Sequence, residues 1–108
     1  MKLFVSGAFG ENDFIGNKFQ VVSNIDDSNA VLILPGGLGT FSDMFLGIKL
    51  NKKVIVYNKD LYYSSLFKNL YEGYEKGLIE SAPSVYLSIE SEPDKIIELL
   101  EDLEKWKN

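Results

Sequence analysis

The sequence predicts an α/β protein, because strand-like and helix-like segments alternate along it. Short apolar runs lie between polar or glycine-rich turns, and segments with helical spacing of apolar residues lie between and after them. Such alternation is typical of a parallel sheet with right-handed crossovers. The run at residues 30–34 is apolar throughout, as expected for a strand that is buried on both faces. Together these observations predict a compact, Rossmann-like three-layer fold with a mainly parallel sheet of about four strands.

The predicted strands are residues 2–5, 30–34, 53–57 and 85–89. Helical spacing of apolar residues predicts helices over residues 40–51, 63–76 and 93–106. Residues 16–23 are compatible with a short helix, and residues 26–28 with a turn. On the first helix we expect four residues to lie in the core: Phe41, Met44, Phe45 and Ile48.

Length and composition limit the domain count and the classes of function. The chain has 108 residues, of which 45% are hydrophobic, so we expect a single domain spanning residues 1–108. It has no Cys, no His and no Arg, which removes thiolates, the commonest metal ligand and bidentate phosphate clamps. The net charge is −5 without a basic stripe, and no apolar run approaches the roughly 18 residues of a membrane span. We therefore expect a cytoplasmic protein without metal or cofactor that binds neither nucleic acid nor membrane.

Residues 30–43 carry the strongest functional signal, because an apolar strand breaks into a glycine-dense turn that opens into a helix. Glycine permits positive φ and lets the backbone approach a ligand closely. The first amide groups of the helix lack intrahelical partners and face the turn with the positive end of the helix dipole. Such a strand–turn–helix is a ready anion site, and the expected anion is a phosphate.

Simpler interpretations of the same residues stay open. Pro35 can serve as a strand terminator, and Gly36 and Gly37 can serve a tight turn alone. Thr40 followed by Asp43 resembles a capping box, with Asp in place of the usual Glu or Gln. The turn is neither a Walker loop nor a dinucleotide fingerprint, since it lacks both consensus patterns.

Ligands of parallel α/β sheets sit beyond the carboxyl ends of the strands. The loops after the first, second and third predicted strands, residues 6–10, 35–40 and 58–63, should therefore face one crevice. The aromatic residues Phe9, Phe14, Tyr62 and Tyr63 could stack on a base there, or simply pack. The predicted ligand-binding residues are Ser6, Gly7, Phe9, Pro35, Gly36, Gly37, Leu38, Gly39, Thr40, Asp43 and Tyr62.

The candidate catalytic residues are few. Asp43 could act as a base or hold a ribose hydroxyl, as could Asp13 or Asp60. Lys18 could neutralise a phosphate, although a solvated lysine is the simpler interpretation.

The segment Pro35-Gly-Gly-Leu-Gly-Thr-Phe-Ser-Asp43 resembles the P-G-G-x-G-T-x-x-E motif of the Lonely Guy (LOG) family, also called lysine decarboxylase-like, within the wider SLOG nucleotide-binding superfamily. Residues 60–66, Asp-Leu-Tyr-Tyr-Ser-Ser-Leu, resemble the family's Asp-Gly-Tyr-Tyr-Asn-Ser-Leu, and residues 75–79 resemble its Glu-Glu-Gly-Phe-Ile. The resemblance covers about the C-terminal two-thirds of the chain, and the family's N-terminal part is shortened here.

The resemblance implies a Rossmann-like fold, a dimer and, in many members, hydrolysis of the N-glycosidic bond of a nucleoside 5′-monophosphate. It also implies that Gly36, Gly37, Gly39 and Thr40 bind the phosphate, and that Asp43 stands where the family has its catalytic Glu. The family's catalytic Arg has no counterpart here, and Asn12 or Lys18 would come nearest to it.

We therefore expect a domain that binds a nucleotide or ADP-ribose-like ligand without turnover, as a sensor or sponge of a nucleotide signal, for example in phage anti-defence. The alternative is an active phosphoribohydrolase that uses Asp43 and Lys18. A third interpretation is a structural subunit with a vestigial loop. We also expect a homo-oligomer built on a two-fold dimer, because a small parallel sheet leaves open edges and the helix after the glycines is apolar.

Overall fold

A computed structural model describes residues 1–7, 15 and 18–107 of the chain, the last two of these by their backbone alone. The described residues form a five-stranded parallel sheet and three α-helices. The strands are β1 (Lys2–Ser6), β2 (Gln20–Val22), β3 (Ala30–Ile33), β4 (Lys53–Tyr57) and β5 (Leu87–Glu90). The helices are α1 (Leu38–Lys49), α2 (Ser64–Glu75) and α3 (Pro93–Lys107). The predicted fold class is confirmed.

The strand order is β2-β1-β3-β4-β5, and every neighbouring pair is parallel. The chain therefore moves outward from β1 to β2 in one direction, and from β3 to β5 in the other. This reversal makes a topological switch point between β1 and β3, where doubly wound sheets bind their ligands.

The core has two layers, one on each face of the sheet, because successive strand residues point to opposite faces. Along β3, Leu32 packs with Ile96 and Leu100 of α3 on one face. Val31 and Ile33 pack with Met44 of α1 and Phe67 of α2 on the other face. All four described residues of β3 are fully buried, which explains why the central strand reads as one apolar run.

Strand β2 is the main difference from the predicted elements. Residues 20–22 do not continue a short helix, because they pair in parallel with residues 2–4 of β1. Val21 is half exposed, so residues 20–22 lack the alternation of apolar and polar side chains that would predict a strand. The long-range pairing therefore decides the conformation where local signals are weak.

Other boundaries differ by a turn or less. Helix α1 begins at Leu38 rather than Thr40. Strand β5 begins at Leu87 rather than residue 85, since Pro83–Val85 forms a 3-10 turn first. The predicted turn at residues 26–28 is confirmed by the 3-10 turn Ile25–Asp27, which the Asn24 side chain caps.

The predicted core face of α1 is only partly correct. Met44 is fully buried, and Phe41 and Ile48 pack partly buried against the same cluster. Phe45 is 38% exposed, and the core prediction for it is wrong. Its position turns it away from the sheet, next to the exposed Leu46.

Among the described residues, no helix combines the length and apolarity that crossing a membrane requires.

Candidate functional site

The loops after β1 and β3 meet backbone to backbone at the switch point. Gly7 has a φ of 136°, and a Cβ added to it would lie 2.5 Å from the Cβ of Leu34. A Cβ added to Gly36 would overlap Oγ1 of Thr40 and lie 3.2 Å from Cα of Gly7. Both positions therefore require glycine, and the loops after β1 and β3 approach each other through them.

We call residues 35–40 the glycine loop. Its other two glycines, Gly37 and Gly39, are required by nothing in the described part of the protein. A Cβ on either would meet no described atom within 4 Å. The φ of Gly37 is −103°, and among the described glycines only Gly7 and Gly77 have positive φ. None of the three loop glycines uses the positive φ that glycine permits, and what distinguishes Gly37 and Gly39 is the open space beside them.

Helix α1 starts from this loop without a side-chain cap. Gly37 is the N-cap residue, and the Phe41 N–H donates to its carbonyl at 3.1 Å. The amides of Leu38, Gly39 and Thr40 therefore occupy the first turn, where no intrahelical acceptor is available. The first turn carries no acidic residue, so nothing in it offsets the positive end of the helix dipole.

The capping-box interpretation of Thr40 and Asp43 is wrong. Thr40 lies inside the helix and is buried, with its side chain against Gly36. The Asp43 carboxylate instead accepts a hydrogen bond of 2.6 Å from the hydroxyl of Ser6, at the carboxyl end of β1. A hydroxyl–carboxylate bond this short is charge-assisted, and it ties α1 to β1 across the switch point.

The turn after β4, residues 58–63, contacts the glycine loop from the side opposite to β1. The Tyr62 hydroxyl donates to the Gly36 carbonyl, and the Tyr63 hydroxyl donates to the Leu34 carbonyl, each at 2.6 Å. The two rings stand edge to face with their centroids 4.8 Å apart. We call residues 58–63 the tyrosine turn. Among the described residues, the loops after β1 and β4 thus each contact the glycine loop or the residue before it, on opposite sides.

The side chain of Asn58 stabilises the tyrosine turn through two hydrogen bonds. Its side-chain oxygen accepts from the Tyr63 N–H at 2.7 Å, and its amide nitrogen donates to Oγ of Ser64 at 3.1 Å. Burial raises the pKa of Tyr63 to about 12, and the neighbouring Tyr62 adds to the increase. Tyr63 is therefore a neutral hydrogen-bond donor at ordinary pH, and its function here is structural.

The structure does not bring Lys18 to this site. Lys18 lies two residues before β2, whose first residue pairs with Lys2 at the amino end of β1. It lines a surface depression with Glu101, Glu104 and other residues of the last turns of α3. Asp43 lies beyond the carboxyl end of β1, so the two candidate catalytic residues occupy opposite edges of the sheet.

The other predicted site residues have different outcomes. Pro35 lies beside Lys59, Asp60 and Tyr62 in a shallow depression on the β4 side of the loop. Leu38 is 85% exposed at the start of α1. The predictions for Phe9, Asn12, Asp13 and Phe14 fall outside the described residues.

A cavity of about 310 Å³ lies away from the glycine loop. Its lining includes Lys53 and Leu87, the first residues of β4 and β5, together with Asp102 of α3. It therefore opens at the amino edge of the sheet and is separate from the candidate site. No cluster of three or more potential metal ligands occurs in the part of the chain that the structure describes.

Sequence reasoning missed the Ser6–Asp43 bond and the structural functions of Asn58 and Tyr63. The Ser6–Asp43 pair is separated by 37 residues, and no local pattern reports such a contact. Asn58 gave a weak signal, because it directly follows a buried strand, where an amide side chain commonly organises a turn.

Comparison with known proteins places this geometry in a family. A family model described as "Possible lysine decarboxylase" matches residues 22–100, which include the glycine loop, the tyrosine turn and strands β3 to β5. The search of curated proteins gave no match. Since the family model covers well over half of the 108 residues, the chain belongs to this family, the LOG or lysine decarboxylase-like family.

Proposed function

We propose that the protein binds a nucleotide or another nucleoside phosphate through the glycine loop, without turning it over. The observation that carries this proposal is the start of α1. Its N-cap is a glycine, its first turn is free of acidic residues, and Gly37 and Gly39 border open space. Backbone amides at such a helix terminus are suited to a phosphate group.

The position of the loop supports the same function. It lies at the switch point of a parallel sheet, where ligands of doubly wound folds bind. Membership in the LOG family is consistent with a nucleotide-related ligand. The phosphate would lie over the amides of Gly37, Leu38, Gly39 and Thr40, and the nucleoside would extend across the crevice toward Ser6 and Asp43.

Two features favour binding over hydrolysis. Asp43 has a side chain one methylene shorter than the family's Glu, and a positional error near 1 Å can lower catalysis about 100-fold. Its described partner is the neutral hydroxyl of Ser6, and Lys18 lies at the other edge of the sheet. In this proposal Asp43 accepts a hydrogen bond from a ribose hydroxyl instead of assisting bond cleavage.

The experiment is incubation of the purified protein with AMP, ADP-ribose and cyclic ADP-ribose. Free base and ribose phosphate are measured by chromatography, and bound ligand by retention on a filter. We expect at least one ligand to be retained and recovered unchanged. Release of base by the wild type, reduced about 100-fold or more in Asp43→Asn, would show a phosphoribohydrolase instead. Retention of cyclic ADP-ribose in preference to AMP would support a sensor or sponge of a nucleotide signal.

A homo-oligomer is the second part of the proposal. Helix α1 and its C-cap residue expose four large apolar side chains, namely Leu38, Phe45, Leu46 and Leu50. A two-fold contact uses one such surface twice. Light scattering at micromolar concentration should give a dimer or a multiple of it, and Leu46→Glu should shift it to the monomer. A wild-type monomer that still binds nucleotide would show that the site is complete in one chain.

A further inference from the structure

The Tyr62 side chain contacts the one peptide of the glycine loop that is flanked by two glycines. The peptide between Gly36 and Gly37 has glycine on both sides, so only backbone contacts limit its rotation. Its carbonyl accepts from the Tyr62 hydroxyl at 2.6 Å.

The hydrogen bond also sets the direction of the Gly37 N–H. No cis peptide occurs among the described residues, and in a planar trans peptide the carbonyl and the N–H point in opposite directions. Tyr62 follows β4, whereas the switch point lies on the β1 side of β3. A carbonyl held toward Tyr62 on the β4 side would direct the Gly37 N–H toward the β1 side, where the switch point lies.

The backbone that carries Tyr62 adopts an unusual conformation to reach this position. Asp60 and Leu61 are consecutive non-glycine residues with φ values of 53° and 60°. Such left-handed residues persist where the surrounding contacts hold them. Here the contacts are those of the next two residues, since Tyr62 is bound to Gly36, and Tyr63 to Leu34 and Asn58.

We propose that Tyr62 is a positioning residue, whose hydroxyl presets the Gly37 amide to face a phosphate in the crevice without itself touching the ligand. This inference rests on the proposed function of the glycine loop. It assigns to Tyr62 a function different from stacking on a base, because the hydroxyl acts on the loop from the side opposite to the crevice. A preset amide binds an anion without the entropic cost of ordering the loop first.

The test is a titration of ¹⁵N-glycine-labelled protein with AMP and with inorganic phosphate, followed by NMR. In the wild type we expect the amide signals of Gly37 and Gly39 to shift. Tyr62→Phe removes only the hydroxyl, and we expect it to weaken AMP binding about fivefold, the scale of one hydrogen bond. The shift of Gly37 at saturation should shrink relative to that of Gly39. Tyr71→Phe, which changes a tyrosine of similar exposure on α2, should alter neither quantity.

The outcomes separate this inference from the proposed function. If AMP moves no loop glycine in the wild type, the proposed function fails and the inference fails with it. If Tyr62→Phe binds AMP like the wild type and keeps the full Gly37 shift, the proposed function stands and the inference is wrong. If Tyr62→Phe is neutral but Tyr62→Ala loses affinity, the ring contacts the ligand directly, which also overturns the positioning function.

Discussion

Helices α1 and α2 both begin at the carboxyl edge of the same sheet, one strand apart, yet their first turns are built in contrasting ways. Helix α1 begins after its N-cap residue Gly37, with open space beside Gly37 and Gly39. Helix α2 begins after Tyr63, which is buried and bonded to Asn58 and Leu34. The two helix N-termini lie at similar places on the sheet. The N-terminus of α1 borders open space, and we call it the open terminus; the N-terminus of α2 is occupied by the buried Tyr63, and we call it the filled terminus. The open terminus is the candidate site, and the filled one supports it.

The largest expected effect comes from filling the open terminus. Gly37→Val and Gly39→Val each place a side chain where we propose the phosphate lies, and the Cβ of either would meet no described atom within 4 Å. We expect AMP affinity to fall at least about 100-fold, because the amide contacts of about 1.5–3 kcal/mol each are blocked. The thermal midpoint should hardly change. Calorimetric titration and circular dichroism measure the two quantities.

Gly36→Val is the matched control within the same loop. Its Cβ would overlap the side chain of Thr40, so this variant should lose stability by about 1–3 kcal/mol, as overpacked sites do. Equal free energies of unfolding for all three valine variants would contradict the distinction between Gly36, which lies against Thr40, and the two glycines that border open space.

The next largest effect comes from removing the Tyr63 hydroxyl at the filled terminus of α2. Tyr63→Phe removes the donor to the buried Leu34 carbonyl, and an unsatisfied buried acceptor costs about 1–3 kcal/mol. We expect the free energy of unfolding in urea to fall by that amount. Tyr62→Phe, at a side chain that is 52% exposed, should lower stability much less. If the two variants unfolded at the same urea concentration, the structural function assigned to Tyr63 would be wrong.

Alkaline pH provides a second test of Tyr63. Its pKa is raised from 10.0 to about 12 in the folded protein, so the unfolded chain loses this proton at a lower pH than the folded chain. The stabilisation is fully present below pH 10 and is lost as the pH rises toward about 12. The difference in unfolding free energy between wild type and Tyr63→Phe should therefore narrow over this interval. A difference that stays constant from pH 9 to 11 would mean that Tyr63 ionises normally.

The smallest effect concerns the backbone of the tyrosine turn. Leu61 has a φ of 60° and is 66% exposed, at the position where the resembling family segment has Gly. A left-handed non-glycine residue costs about 1–2 kcal/mol, and glycine in turn costs about 0.5–1 kcal/mol in the unfolded chain. Leu61→Gly should therefore raise stability by up to about 1 kcal/mol. A lower melting temperature would mean that the Leu61 side chain stabilises the fold.

The contrast between the two termini also explains what sequence reasoning could reach. The glycine loop was predicted because its signals are local, namely an apolar strand, a cluster of glycines and a helical pattern in immediate succession. The bounds of β4 were predicted correctly because the apolar run at residues 54–57 directly follows the charged residue Lys53. What each glycine does was not predictable, since Gly36 is restricted by Thr40 and Gly7, whereas Gly37 faces open space.

The features that sequence reasoning missed depend on contacts between distant residues. The short strand β2 exists through its pairing with β1. The Ser6–Asp43 bond joins a strand end to a helix that follows another strand. The attachment of Tyr62 to Gly36 spans 26 residues and directly follows the left-handed residues Asp60 and Leu61. Leu61 is not glycine, so no composition signal marks its conformation.

The central claim is that the open terminus of α1 binds the phosphate of a nucleotide, and a binding cycle tests it most directly. The affinities of AMP and adenosine are measured by calorimetry for the wild type and for Gly39→Val. We predict that the wild type binds AMP at least about tenfold more tightly than adenosine, which corresponds to about 1.4 kcal/mol from the phosphate. In Gly39→Val this preference should disappear. A preference of the same size in both proteins would contradict the claim, because the phosphate would then be bound elsewhere.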